Sequence, residues 1–199
     1  MVLRRLVVGI YQANCYILGC ETTREGLVID PGDESFRIVN EISKLGLKIR
    51  YILLTHGHFD HTGGAEELKG ITKAPVWIHP LDAQELSFQT DGNLYDGQEL
   101  SLGTFKISVI HTPGHSAGGV SFHAPGVVFT GDTLFAGSVG RTDLRGGNHN
   151  KLIQGVIEKI FPLGDKLRVY PGHGPDTTIG RESNSNPFFP HSSTSSPPF

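Results

Sequence analysis

An apolar run within residues 51–64 stops abruptly at four side chains able to ligate a metal, His56, His58, Asp60 and His61. His56 and His58 are separated by one residue, so an extended backbone turns both imidazoles to the same side, where they can grip one ion. Asp60 and His61 follow on a turn into a helix predicted over 61–69 and face a second position. The spacing suggests two metals rather than one. Packing offers no competing reason for the cluster, because burying so many polar groups beside a strand without partners is costly.

Three later segments repeat the pattern of an apolar run followed by a glycine and a ligand. His115 follows the predicted strand 104–111 through Thr112-Pro113-Gly114, Asp132 follows 127–130 through Gly131, and His173 follows 167–170 through Pro171-Gly172. Loops at the ends of strands on a rigid scaffold commonly carry chemistry. Ser116 has no independent base in its motif and reads as a turn residue rather than a nucleophile. His79, His111, His123, His149 and His191 lack a comparable setting and read as locally hydrogen-bonded or solvated.

The elements that must hold these loops follow from periodicity. Residues 3–10 and 13–18 read as strands joined by a turn at Tyr11-Gln12, and 26–30 as a third strand ending at Pro31-Gly32. From Asp33, a candidate N-cap, Phe36, Val39, Ile42 and Leu45 recur at every third position until Gly46. A strand over 49–54 precedes the ligand cluster. A short helix then ends at Gly70, a strand spans 75–79, and Pro80 opens a helix over 81–86. Residues 89–97 carry Asp91-Gly92 and Asp96-Gly97 without periodicity, and are expected to form a mobile loop bordering the active-site cleft. Strands over 99–102, 104–111, 119–123 and 127–130 follow. An amphipathic helix over 151–160 with Leu152, Val156, Ile157 and Ile160 on one face and a strand over 166–170 complete the series. Together they predict an α/β protein of two mixed sheets packed together with helices outside.

The 199 residues fit one domain, predicted over 1–187, with a Ser/Pro-rich tail over 188–199 expected to fray. A formal net charge of -3 and no Lys/Arg run give no footprint for nucleic acid or an anionic membrane. Cys15 and Cys20 lack the CxxC spacing of redox or zinc motifs and read as reduced structural thiols. With no apolar core long enough for a signal peptide or a membrane span, the expected location is cytoplasmic.

The set His56-x-His58-x-Asp60-His61, His115, Asp132 and His173 resembles the metallo-β-lactamase superfamily, over nearly the whole chain to about Pro187. The resemblance implies an αβ/βα sandwich and two divalent metal ions, zinc first, with iron or manganese suited to the same ligands. In it His56, His58 and His115 hold one metal, Asp60, His61 and His173 the other, and Asp132 bridges; all seven ligands are intact. Residues 134–143 and 172–182 are similar to glyoxalase II, particularly its short single-domain relatives, although the helical domain that helps full-length forms bind glutathione has no counterpart here. That likeness implies a small-molecule acylglutathione thioester, hydrolysed by a metal-bridging hydroxide with Asp60 and Asp132 as the catalytic carboxylates. Arg141 and Arg145, in the loop after Asp132, are the candidate partners of substrate carboxylates. The alternative is a persulfide dioxygenase with a single iron, which shares Gly140-Arg141-Thr142-Asp143. Against it, residues 171–180 match the hydrolase pattern better. A β-lactamase proper ranks lower, because it would need a signal peptide.

Overall fold

The computed structural model describes residues 1–189. One sheet runs in the order β1 (Val2–Val8), β2 (Ala13–Gly19), β3 (Glu25–Ile29), β4 (Lys48–Leu53), β5 (Val76–Ile78) and β6 (Gly92–Asn93). The first three strands are antiparallel because short turns join them. β3, β4 and β5 run parallel because helices α1 (Ser35–Leu45), α2 (Phe59–Thr62) and α3 (Ala65–Thr72) provide the crossovers. After α4 (Pro80–Ala83), the second sheet is built from the meander β7 (Glu99–Leu102), β8 (Phe105–His111), β9 (Val120–Ala124) and β10 (Val127–Gly131). A small hairpin, β11 (Leu134–Phe135) with β12 (Ser138–Val139), and helix α5 (His149–Gly155) follow. β13 (Arg168–Pro171) then joins β10 in parallel, and β14 (Thr177–Thr178) and α6 (Ile179–Ser185) are the last elements among the described residues. Both large sheets are mixed and helices cover them, as expected.

The alternation of side chains along each strand makes the layers. In β2 all seven residues are buried: Cys15 and Ile17 face α1 and α3 with Ile38, Ile42 and Leu68, while Tyr16 and Leu18 face the second sheet with Val109, Phe122 and Phe129. In the second sheet Val128 and Val169 turn outward to meet Leu152, Val156, Ile160 and Ile179.

Several boundaries differ from expectation for local reasons. The cap of α1 is Glu34 in the left-handed region rather than Asp33, whose carboxylate accepts the Glu34 N–H. The helix predicted over 61–69 is broken at Gly63-Gly64, where the chain passes close to Pro31 and Ser35; it resumes as α3, passes through Gly70 and stops at Lys73. α4 is a single turn capped by His79, whose Nδ1 accepts the Leu81 N–H. The stretch 151–160 winds into a wider turn over Val156–Ile160, which leaves Ile157 41% exposed while Leu152, Val156 and Ile160 stay buried.

The 89–97 segment is tied down rather than loose. Asp91 accepts the Val76 N–H at 2.9 Å and Lys69 at 2.8 Å, Leu94 is buried, and Asp96 accepts from the His111 N–H at 2.8 Å and from Lys159 at 2.9 Å. The chain that borders the cleft is the stretch just before it, Glu85 to Phe88. At the other end Phe189 is 3% exposed and stacks edge-on against Phe161, so packing extends past 187; the rest of the predicted tail, 190–199, lies outside the described residues. Among the described residues no helix is long and apolar enough to cross a membrane.

One buried carboxylate locks two of the ligand-bearing loops together. Asp82 in α4 accepts the N–H of Gly57 at 3.1 Å and of Gly118 at 2.5 Å. Replacing it by Ala strands both donors, and is expected to destabilise the protein by about 2–4 kcal/mol. An unchanged urea midpoint for Asp82→Ala would show that the tie carries no load.

Candidate metal centre

Each candidate ligand follows the carboxyl end of a strand, and the two sheets bring those ends to one rim. β4 delivers His56 and His58 and leads into α2 with Asp60 and His61. β8, β10 and β13 deliver His115, Asp132 and His173. The last loop is held from the other sheet: Asn14 Nδ2 donates to the carbonyls of Pro171 at 3.0 Å and Gly174 at 2.9 Å, and the Tyr16 hydroxyl donates to Pro171 at 2.7 Å. Gly172 is required there, since a Cβ would run into the Asp132 carboxylate and the His61 ring.

Two groups of donor atoms result, each with its members within 4.8 Å of one another: His56, His58 and His115, and Asp60, His61 and His173. In the first, His115 Nε2 lies 2.9 Å from His58 Nδ1, and His56 Nε2 is buried without a hydrogen-bond partner. In the second, His173 Nε2 lies 3.2 Å from His61 Nε2 and 3.1 Å from Asp60 Oδ2. Asp132 stands between them. Its Oδ1 is 3.4 Å from His61 Nε2, and its Oδ2 is 3.6 Å from His115 Nε2 and 3.8 Å from His173 Nε2.

Partners behind the rings decide which nitrogen faces the centre. His115 Nδ1 donates to the Arg141 carbonyl at 2.8 Å, which leaves Nε2 with its lone pair. His61 Nδ1 donates to Asp30 Oδ2 at 3.1 Å, which turns Nε2 toward the centre. Asp30 also accepts the N–H and the hydroxyl of Thr55, both at 2.7 Å. With its proton committed to Asp30, the Thr55 oxygen accepts from His56 Nδ1 at 3.0 Å, and His56 Nε2 is bare. Asp30 and Thr55 had no assigned role in the sequence. The signal was there: Asp30 is a carboxylate at the end of a buried apolar strand, just as Asp132 is. A third donor grouping, Asp30 with His56 and His61, is best read as this support, because the Asp30 oxygens are already engaged.

Electrostatics divides the two groups. Burial and the neighbouring imidazoles of His61, His115, His58 and His173 hold His56 well below its usual pKa, and burial with His115 lowers His58 in spite of Glu85; both shifts favour the neutral, lone-pair-donating ring. In the second group burial opposes charge, but Asp132, Asp30 and Asp60 raise His61 to about 9. Burial works against the Asp60 carboxylate too, yet the His173 hydrogen bond and the His61 charge bring it down to about 2. The carboxylates thus draw positive charge to that position. Convergent imidazoles, carboxylates and an orphaned buried nitrogen fit divalent cations of borderline hardness.

The structure does not bring the two arginines to these donors. The Arg141 guanidinium forks the Asp143 carboxylate with two 2.8 Å hydrogen bonds and is exposed, as is Arg145. Neither guanidinium bonds a candidate ligand among the described residues. The remaining described histidines lie apart from the donors: His79 and His111 stack at 4.4 Å, and His111 Nε2 donates to the Ala117 carbonyl. Phe59, 76% exposed between His58 and Asp60, separates two cavities, one of about 370 Å³ beside His58 and one of about 170 Å³ beside Asp60.

The comparison with known proteins agrees with this geometry. The chain is 37% identical to hydroxyacylglutathione hydrolase GloC of Haemophilus influenzae, over 91% of this chain and 94% of that protein. Among solved structures it superposes on the BLEG-1 B3 metallo-beta-lactamase with a TM-score of 0.86 at 37% identity, covering 94% of this chain and 99% of the other. It superposes on TTHA1623, solved in a di-iron-bound form, with a TM-score of 0.84 at 36% identity, covering 94% and 100%. The profile described as the metallo-beta-lactamase superfamily matches residues 8–173, a span that holds every strand-end donor described above; the chain belongs to that superfamily.

Proposed function

We propose that the protein is a dinuclear metal-dependent hydrolase acting on acylglutathione thioesters. The observation that carries this reading is the pair of donor triads joined by Asp132, and the likeness to a hydroxyacylglutathione hydrolase supports the substrate class. His56, His58 and His115 would hold one cation and Asp60, His61 and His173 the other, with Asp132 shared. Two divalent ions, zinc in the first place, supply a water acidic enough to ionise near neutral pH and a Lewis acid for the thioester carbonyl.

The residues of the chain do the rest. Asp30 and Thr55 fix the His61 and His56 rings with their Nε2 atoms inward, and the Arg141 carbonyl does so for His115. Asp60 is a poor store for a proton, its carboxyl being held at about 2, so its role is to accept a hydrogen bond from the attacking water and orient it. The departing thiolate is stable enough to leave without a strong general acid. Arg141 and Arg145 are proposed to meet the carboxylates of the thiol portion. For Arg141 this means exchanging Asp143 for substrate, an easy exchange for an exposed ion pair.

A second reading, oxidation of a persulfide at a single iron, rests on Gly140-Arg141-Thr142-Asp143, and a relative known with iron bound keeps that metal in play. Protein purified without added metal is expected to contain two metals per chain and to hydrolyse S-lactoylglutathione without oxygen uptake. One iron, with oxygen consumed only when glutathione persulfide is supplied, would overturn the hydrolase in favour of the dioxygenase. A β-lactam belongs in the same assay, given the likeness to a B3 enzyme.

Asp132→Ala is expected to abolish metal pairing and turnover while leaving the circular dichroism of the fold intact. Full activity with both metals retained would refute the shared position. Asp30→Asn leaves every ligand in place and removes only their support, so metal affinity should fall about 10–100-fold. An unchanged affinity in a chelator competition would remove Asp30 from the site.

A further inference from the structure

The 370 Å³ cavity beside His58 has a charge that the proposed reaction does not use. Its walls include Gly57, His58, Phe59, Glu66, Glu85 and Phe88; two of its lining residues are carboxylates and none is Lys or Arg. Both carboxylates are exposed. Neither Glu66 nor Glu85 makes a side-chain hydrogen bond or ion pair among the described residues, and the cation nearest in sequence, Lys69, is already engaged by Asp91 at 2.8 Å.

The position of Glu85 is fixed by the backbone. Its N–H donates to the Asp82 carbonyl at 3.0 Å, and the Asp82 side chain holds Gly57 and Gly118, so Glu85 sits against the loop that carries His56 and His58. Phe59 and Phe88 add aromatic surface to the same wall. Carboxylates and aromatic rings together favour an organic cation, because a ring face attracts an ammonium while the carboxylates repel anions. A volume of this size holds a group of several heavy atoms rather than a bare ion.

We infer that this cavity is a subsite for the ammonium group of the thiol portion of the substrate, with Glu66 and Glu85 as the residues that select for it. The inference rests on the hydrolase reading for its placement next to the reacting bond. It divides the recognition of a zwitterionic thiol between two walls. The ammonium enters beside His58, and the glycine carboxylate at the far end of the peptide faces the loop that carries Arg141 and Arg145.

The test compares S-lactoylglutathione with its N-acetyl derivative, in which a neutral and bulkier acetamide replaces the ammonium, in the metal-loaded protein and in the Glu66→Gln/Glu85→Gln double variant. N-acetylation is expected to lower kcat/KM roughly tenfold in the native protein, an effect that shrinks in added salt, and by less than about twofold in the double variant. Equal turnover of the two substrates by the native protein, or the same loss in both proteins, would overturn the subsite.

A binding measurement separates this result from failure of the hydrolase reading. Phenethylammonium should shift the amide resonances of Phe59, Leu86 and Phe88 in the native protein and not in the double variant, and phenylpropionate should shift neither. If no thioester is hydrolysed but this pattern appears, the subsite stands and the reaction is of another kind. If the anion shifts those signals as well as the cation does, the selection for an ammonium is wrong.

Discussion

The centre depends on a single buried carboxylate that touches no proposed metal. Asp30 is buried at the end of β3 and gathers three donors, the Thr55 N–H, the Thr55 hydroxyl and His61 Nδ1. Burying an ionised group is tolerable only when its acceptor sites are filled, and here they are filled by the groups that must be aimed. The hydrogen-bond chain therefore runs in one direction, from the ring nitrogens outward to Asp30, and the opposite nitrogens look inward. A ligand set without this backing would have the right residue types and uncertain tautomers.

Around that hub, two sheets contribute complementary halves. The first sheet supplies Asp30 and the dense His56 to His61 cluster; the second supplies His115, Asp132 and His173, from the ends of β8, β10 and β13. The alternation in β2 explains why the halves meet in register: Cys15 and Ile17 anchor the helices while Tyr16 and Leu18 anchor the opposite sheet. Asp82 then ties the His56–His58 loop to the His115 loop, so the distance between the first three ligands is set by a shared side-chain acceptor as well as by packing.

Much of this was legible in the sequence, for reasons that separate the legible from the rest. The donor residues announce themselves because metal chemistry needs particular atoms, and strand runs announce themselves because buried β structure needs apolar alternation. Asp30 does not announce itself although it follows an apolar strand as Asp132 does, because it stands alone, before Pro31-Gly32, with no second ligand nearby in sequence. The helix break at Gly63-Gly64 and the wide turn at Val156–Ile160 depend on what the neighbouring chain does in space. Residues 89–97 read as loose because Gly and Asp usually mark loops. Here Asp91 and Asp96 are instead the acceptors that pin the segment to β5 and β8.

The clamp of Asn14 and Tyr16 on the His173 loop has a consequence for how the molecule comes into being. Those two side chains emerge near the beginning of synthesis, while the carbonyls they hold, at Pro171 and Gly174, are made near its end. During translation the Asn14 side chain would wait for the carbonyl it holds until roughly 160 further residues have been added, a separation set by its pairing with Gly174. The completed centre is thus a late event in the life of each molecule, and an incomplete chain stalled before β13 would carry His56, His58 and His115 together with Asp60 and His61 that still lack His173.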